Sequence, residues 1–203
     1  MNKAEKMTQK PTPVYALLDV DLLRRYDVSA EKSAKFLQAN AITIAQLRDK
    51  EGSDDEVAAL LRSIRSLYEG TLLVNDRPAL AELCDGVHLG QEDLAAFDPD
   101  PSQAVRKVRA ILGSGKILGL STHDAREIAL ANPLDLDYIG LGAYRPTSTK
   151  SGARVRGAEL LEAAKGSRHP VALIGGLRWE DRFPPQIAYK VLGSALIERI
   201  AAS

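Results

Sequence analysis

The apolar residues of this chain alternate between two spacings, and that alternation limits its possible folds more than any other feature. Short β-prone runs, such as "VYALLD" at 14–19, "TLLVND" at 71–76 and "KILGLS" at 116–121, are separated by segments of helical spacing. The clearest helix carries Val57, Leu60, Leu61, Ile64, Leu67 and Tyr68 on one apolar stripe. Ser53 and Glu56 form a capping box at its start, and Gly70 follows its end. Further helices are expected over 29–40, 78–84, 102–112, 155–165 and 195–202. Another, capped by Thr122, stops at Asn132-Pro133. Pro184-Pro185 interrupts the stretch after the seventh strand, which reads as a short helix or irregular turn.

Eight strands alternating with helices imply successive βαβ units and a parallel sheet. Eight units predict an α/β fold closed as a single (β/α)8 TIM barrel, with an open doubly wound sheet as the alternative. The 203 residues suit one domain over 13–203, and the polar residues 1–12 read as a disordered N-terminal arm. Lysine plus arginine equals aspartate plus glutamate, so no basic excess points to nucleic acid. The single cysteine, Cys84, allows no intrachain disulfide and suggests a cytoplasmic protein. No apolar run approaches the ~20 residues needed to span a bilayer. The expected partners are small molecules.

In such a barrel the active site forms at the C-terminal strand ends, so the residues there are informative. On the second strand, Ile42, Ile44, Gln46, Arg48 and Lys50 share one face by period two. That face starts apolar and ends polar and basic. It fits core isoleucines below a polar mouth, or a solvated strand end. The third strand ends in Asn75-Asp76-Arg77, and the fourth is followed by "GQEDL" with Glu92 and Asp93. Two carboxylates at adjacent strand ends can share Mg²⁺, which binds one or two carboxylates and completes its shell with water and phosphate oxygens. The competing reading makes Asp76 and Asp93 helix caps. Ser121 either binds phosphate or caps a helix, and His123 reads by default as the first turn of that helix. Gly175-Gly176 and Gly193-Ser194 end strands seven and eight, where backbone N–H groups often bind phosphate. With Thr147, Thr149 and Lys150 after strand six, the mouth suits a substrate carrying more than one phosphate.

"QLRDK", "VNDR", "DGVHLGQEDL", "LGLSTH", "DYIGLGAYRPTSTK" and "ALIGGL" together resemble the thiamine phosphate synthase family, over roughly residues 14–177. The resemblance implies condensation of hydroxymethylpyrimidine diphosphate with hydroxyethylthiazole phosphate, giving thiamine phosphate and pyrophosphate by a dissociative, Mg²⁺-assisted substitution. It implies that Gln46, Arg48, Lys50 and Asn75 contact the pyrimidine diphosphate and that Asp76 and Asp93 hold Mg²⁺. Ser121 and Lys150 would hold the departing pyrophosphate, so Lys150, Ser121 and Arg48 are the catalytic candidates. Thr147 and Thr149 would grip the thiazole phosphate, completed by backbone around Gly175, Gly176, Gly193 and Ser194. The chain departs from the family pattern at Gly142-Ala143, where Gly-Pro is usual, and in the stretch 178–197. Two other readings compete: a thiazole tautomerase using His123, and a non-catalytic barrel that binds a thiamine precursor.

Overall fold

The computed structural model describes residues 11–146 and 156–203. Eight parallel strands close into a barrel in sequence order. They are β1 (Val14–Asp19), β2 (Ile44–Arg48), β3 (Thr71–Asn75), β4 (Gly86–Leu89), β5 (Ile117–Thr122), β6 (Tyr138–Leu141), β7 (Val171–Leu173) and β8 (Ile187–Leu192). β1 closes the ring against β8, with Tyr15 beside Val191, while its other edge sets Tyr15 beside Ile44. The open doubly wound sheet is thereby excluded.

Around the ring lie α1 (Val20–Arg25), α2 (Ala30–Ala39), α3 (Asp54–Arg65), α4 (Gln91–Ala95), α5 (Pro101–Leu112), α6 (Ala125–Ala131), α7 (Glu159–Ala164) and α8 (Ser194–Ala201). A 3₁₀ turn, Pro78–Leu83, stands between β3 and β4. The capping box of α3 is present, with Ser53 and Glu56 satisfying each other's backbone. Its stripe buries Val57, Leu61 and Ile64, and Tyr68 reaches back to donate its hydroxyl to Ile42 O at 2.8 Å.

Two apolar layers result. Strand residues facing outward pack under the helices in one large cluster. Residues facing inward, among them Tyr15, Leu17, Ile44, Leu73, Tyr138, Ala172 and Val191, fill the barrel itself. This splits the two isoleucines expected to share the interior. Ile44 is inside, but Ile42 precedes the strand and its N–H bonds Leu37 O at 3.1 Å, so it packs with the outer layer.

Two local expectations change, and an open one, the irregular turn after β7, is met. Thr122 is the last residue of β5 and donates to Gly140 O at 2.8 Å; with its hydroxyl so committed, Asp124 caps α6 instead, accepting from Glu127 N at 3.0 Å. The helix expected over 155–165 begins only at Glu159, after a turn at Gly157 with φ +53°, a backbone that favours glycine and interrupts the helix. The stretch 177–186 contains no helix. Most of the predicted arm, residues 1–10, lies outside the described residues. Thr12 is buried, and its Oγ1 accepts the N–H of Phe183 at 2.9 Å.

Candidate active site

The C-terminal strand ends surround one cavity of about 500 Å³. Gln46, Arg48 and Lys50 line it from β2, Asn75 and Asp76 from β3, Asp93 from α4 and Ser121 from β5. Gly175, Gly176, Gly193 and Ser194 line the other side. Period-two alternation explains the β2 contribution: Gln46 is buried inside the barrel, Arg48 half-emerges, and Lys50, past the strand, is exposed. Thr147, Thr149 and Lys150 lie outside the described residues.

The capping reading fails for both aspartates. The turn after β3 is preceded by Arg77 without a side-chain cap, and the capping position before α4 is Gly90, with Asp93 inside the helix. Asp76 instead has φ +57°, an uncommon left-handed backbone for a residue with a Cβ. One of its oxygens accepts Gly90 N–H at 3.1 Å, and the other accepts the Asn75 amide. Asp93 lines the cavity beside it, near enough for its charge to act on the Asp76 carboxyl. Burial, then the charge of Asp93, pushes the Asp76 pKa up. Two carboxylates held together this way repel each other unless a cation or proton lies between them. Arg48 pairs with Asp19, its neighbour in the β1–β2 register, so its fork is oriented before any ligand arrives.

The opposite wall is built from backbone. Gly175 and Gly176 have φ of +107° and +58°. A Cβ on Gly175 would lie 2.7 Å from Tyr144 N, and one on Gly176 would lie 2.6 Å from Pro146 O. The double glycine is therefore required by the close approach of the β6 loop as well as by any ligand. α8 starts at the cavity with Gly193 before it and no side-chain cap. Its first N–H groups have no side-chain partner, and such a helix start can bind an anion.

A family model described as thiamine monophosphate synthase matches residues 19–200. This chain belongs to the thiamine monophosphate synthase family. Among its curated relatives, a thiamine-phosphate synthase of Persephonella marina is 37% identical over 84% of this chain and 79% of its own length. One from Alkaliphilus oremlandii is 36% identical over 92% and 87%. A solved thiamine phosphate pyrophosphorylase from Pyrococcus furiosus superposes with a TM-score of 0.69, covering 94% of this chain and 96% of that one; at 23% identity it supports the fold.

Several cavity residues of this family member were not singled out in the sequence. Tyr15, His88 and Tyr138 stand inside the barrel below the mouth. The period-two rule could have found Tyr15 and Tyr138, but each looks like an ordinary core aromatic in its strand. His123 lines the cavity ahead of α6, with Nδ1 2.8 Å from Glu127 Oε2. The arginines flanking the 147–155 stretch are engaged: Arg145 bonds both oxygens of Asp181 at 2.5 and 3.1 Å, and Arg156 pairs with Asp124 at 3.1 Å. Among the described residues no group of three His, Cys, Asp or Glu side chains forms a metal cage. No helix among them is long and apolar enough to cross a membrane.

Proposed function

We propose that the chain is a thiamine phosphate synthase, condensing hydroxymethylpyrimidine diphosphate with hydroxyethylthiazole phosphate and releasing pyrophosphate. The observation that carries this reading is the pair of carboxyls, Asp76 and Asp93, on one cavity wall with Arg48 and Lys50. Those groups face a second anion-receiving wall at Gly175-Gly176 and the start of α8. A reaction joining a diphosphate to a monophosphate needs two such zones on one cavity.

The aspartate pair fits Mg²⁺: hard oxygen donors, mutual repulsion that a cation relieves, and a solvent-open side for water and diphosphate oxygens. When bound, the metal would neutralise charge on the leaving diphosphate. The chain's own groups do the rest. Gln46 and Asn75, anchored inside the barrel, orient the pyrimidine. Arg48 and Lys50, with Lys150 as a further candidate, stabilise the departing charge, and Ser121 adds a contact to the same substrate. Gly175, Gly176, Gly193 and Ser194, with Thr147 and Thr149, hold the thiazole phosphate so that its ring nitrogen faces the methylene carbon. Catalysis is then positioning plus charge stabilisation. The small-molecule substrates and a cytoplasmic location belong to this same reading.

The His123–Glu127 pair supports a second reading, a thiazole tautomerase, because a carboxylate on Nδ1 leaves Nε2 free to move a proton. A proton shift on a monophosphate leaves the aspartate pair without a purpose. Incubating the protein with both substrates and Mg²⁺ separates the two. The synthase yields thiamine phosphate and an equal amount of pyrophosphate. Conversion of a thiazole tautomer alone, with no condensation, would favour the tautomerase; ligand binding without any turnover would favour a sensor.

A further inference from the structure

One unbroken chain of side-chain hydrogen bonds crosses the floor of the cavity. It runs from Ser121 Oγ to His88 Nε2 (2.9 Å), then from His88 Nδ1 to the Tyr138 hydroxyl (2.8 Å) and on to the Tyr15 hydroxyl (2.8 Å). From Tyr15 it continues to Gln46 Oε1 (2.7 Å), from Gln46 Nε2 to Asn75 Oδ1 (2.6 Å), and from the Asn75 amide to Asp76. The space for it is prepared. A Cβ on Gly119 would fall 2.2 Å from the Tyr138 ring, and one on Gly140 would press on the His88 ring at 3.0 Å. The His88 and Tyr138 rings stack with centroids 5.5 Å apart.

The chain has a direction, set from its Asp76 end. The Asn75 NH₂ donates to Asp76, and its oxygen accepts from Gln46 Nε2. Gln46 then donates to Asn75 and presents its oxygen to Tyr15. Tyr15 spends its single hydrogen on Gln46, so Tyr138 must donate to Tyr15. Tyr138 has no hydrogen left for His88, so His88 donates from Nδ1. Both ring nitrogens face hydroxyls, with no carboxylate to hold a second proton on the ring, so Nε2 carries a lone pair and accepts the Ser121 hydrogen. Ser121 then has only lone pairs to offer the cavity.

We propose that His88 is a positioning residue that fixes Ser121 Oγ as a hydrogen-bond acceptor, and that Ser121 accepts from the ring amino group of the pyrimidine substrate rather than donating to pyrophosphate. This rests on the synthase reading. The amino group lies next to the ring carbon that bears the reacting methylene. In the reaction, the methylene C–O bond breaks with its electron pair leaving on pyrophosphate, and the thiazole nitrogen lone pair forms the new C–N bond. Between those events the methylene is electron-poor. An acceptor on the amino N–H increases donation of its nitrogen lone pair into the ring. Ser121 is a stronger acceptor because its own hydrogen is given away. No proton is transferred.

Nitrogen-15 NMR of the Mg²⁺-supplemented protein, with the His88 signals identified by their loss in His88→Gln, reads the tautomer directly. A proton on Nδ1 alone is expected; a proton on Nε2 overturns the relay. Ser121→Ala and His88→Leu should lower kcat roughly 10- to 100-fold, the scale of one hydrogen bond to a charged group. Affinity for magnesium pyrophosphate, measured by calorimetry, should stay unchanged in Ser121→Ala. His88→Gln, whose amide oxygen can take the serine hydrogen, should recover much of the lost kcat. A tenfold loss of pyrophosphate affinity in Ser121→Ala would place Ser121 on the leaving group and overturn the assignment. Failure of the unaltered protein to make thiamine phosphate would remove the synthase reading and the pyrimidine assignment with it, while the NMR result still decides the relay.

Discussion

The two walls of the cavity are made differently. The wall from β2 to β5 presents side chains: Gln46, Arg48, Asn75, Asp76, Asp93 and Ser121, most of them already bonded to a neighbour. The wall from β7 to α8 presents backbone: two glycines in left-handed conformations and an uncapped helix start. It is braced from behind. Asp181 pairs with Arg145, and buried Lys190 donates to the carbonyls of Trp179 and Asp181. Trp179 donates to Ala195 O at 3.1 Å and carries the Arg199 guanidinium 4.6 Å above its ring. A wall that handles leaving charge uses full charges, and a wall that holds a spectator phosphate can use dipoles. Damage to the first should therefore appear in rate, and damage to the second in substrate affinity and stability.

The largest effect is expected from Asp93→Ala. Turnover should fall by roughly 100-fold or more, the scale of losing one preorganised charge contact, and its Mg²⁺ dependence should flatten. Wild-type kinetics across a Mg²⁺ titration would remove Asp93 from the metal site.

Acid should test the charged wall next. The folded pKa of His88, about 4, lies below its ordinary 6.5, so the unfolded chain binds more protons between those values. Stability should be fully present above about pH 6.5 and fall as pH drops toward 4, by an amount on the order of 3 kcal/mol. Asp76 acts oppositely: its raised pKa makes the Mg²⁺-free fold lose stability as pH rises above the ordinary carboxylate range. Denaturant midpoints for the unaltered protein and His88→Gln, without Mg²⁺, separate the two. An unchanged pH slope in His88→Gln would sink the histidine part.

On the backbone wall, Gly175→Ala should cost about 2 kcal/mol, because alanine there meets both a positive φ and the Tyr144 backbone. KM for the thiazole phosphate should rise more than kcat falls. The smallest effect is the brace: a double-mutant cycle on Arg145 and Asp181 should give a coupling of about 1 kcal/mol, since the pair is partly exposed. A coupling of zero would mean the bracing is done by Lys190 and Trp179 instead.

The charged wall was readable in the chain because each of its residues lies on or after a strand that announces itself by period, and strand ends converge in a barrel. Asp76 and Asp93 are 17 positions apart in sequence and read equally well as helix caps. Only the observed cap geometry, with Gly90 and Arg77 in those places, removed that reading. The glycines of "DYIGLGAYR" serve packing: Gly140 clears room for His88, and Gly142 faces Ile174, with a Cβ there only 2.5 Å from its side chain. Packing between strands distant in sequence is invisible in a local pattern.

By itself the sequence determined the eight-unit alternation and the charged groups at the strand ends, since both depend on periodicity and residue type. The tertiary structure decided what those groups are bonded to. It joined Ser121 to Asp76 through five side chains from β4, β6, β1, β2 and β3, and it turned Gly175 and Gly176 into contacts for the β6 loop. Hydrogen-bond direction and steric clearance depend on positions in space. Those positions exist only once β8 has closed on β1.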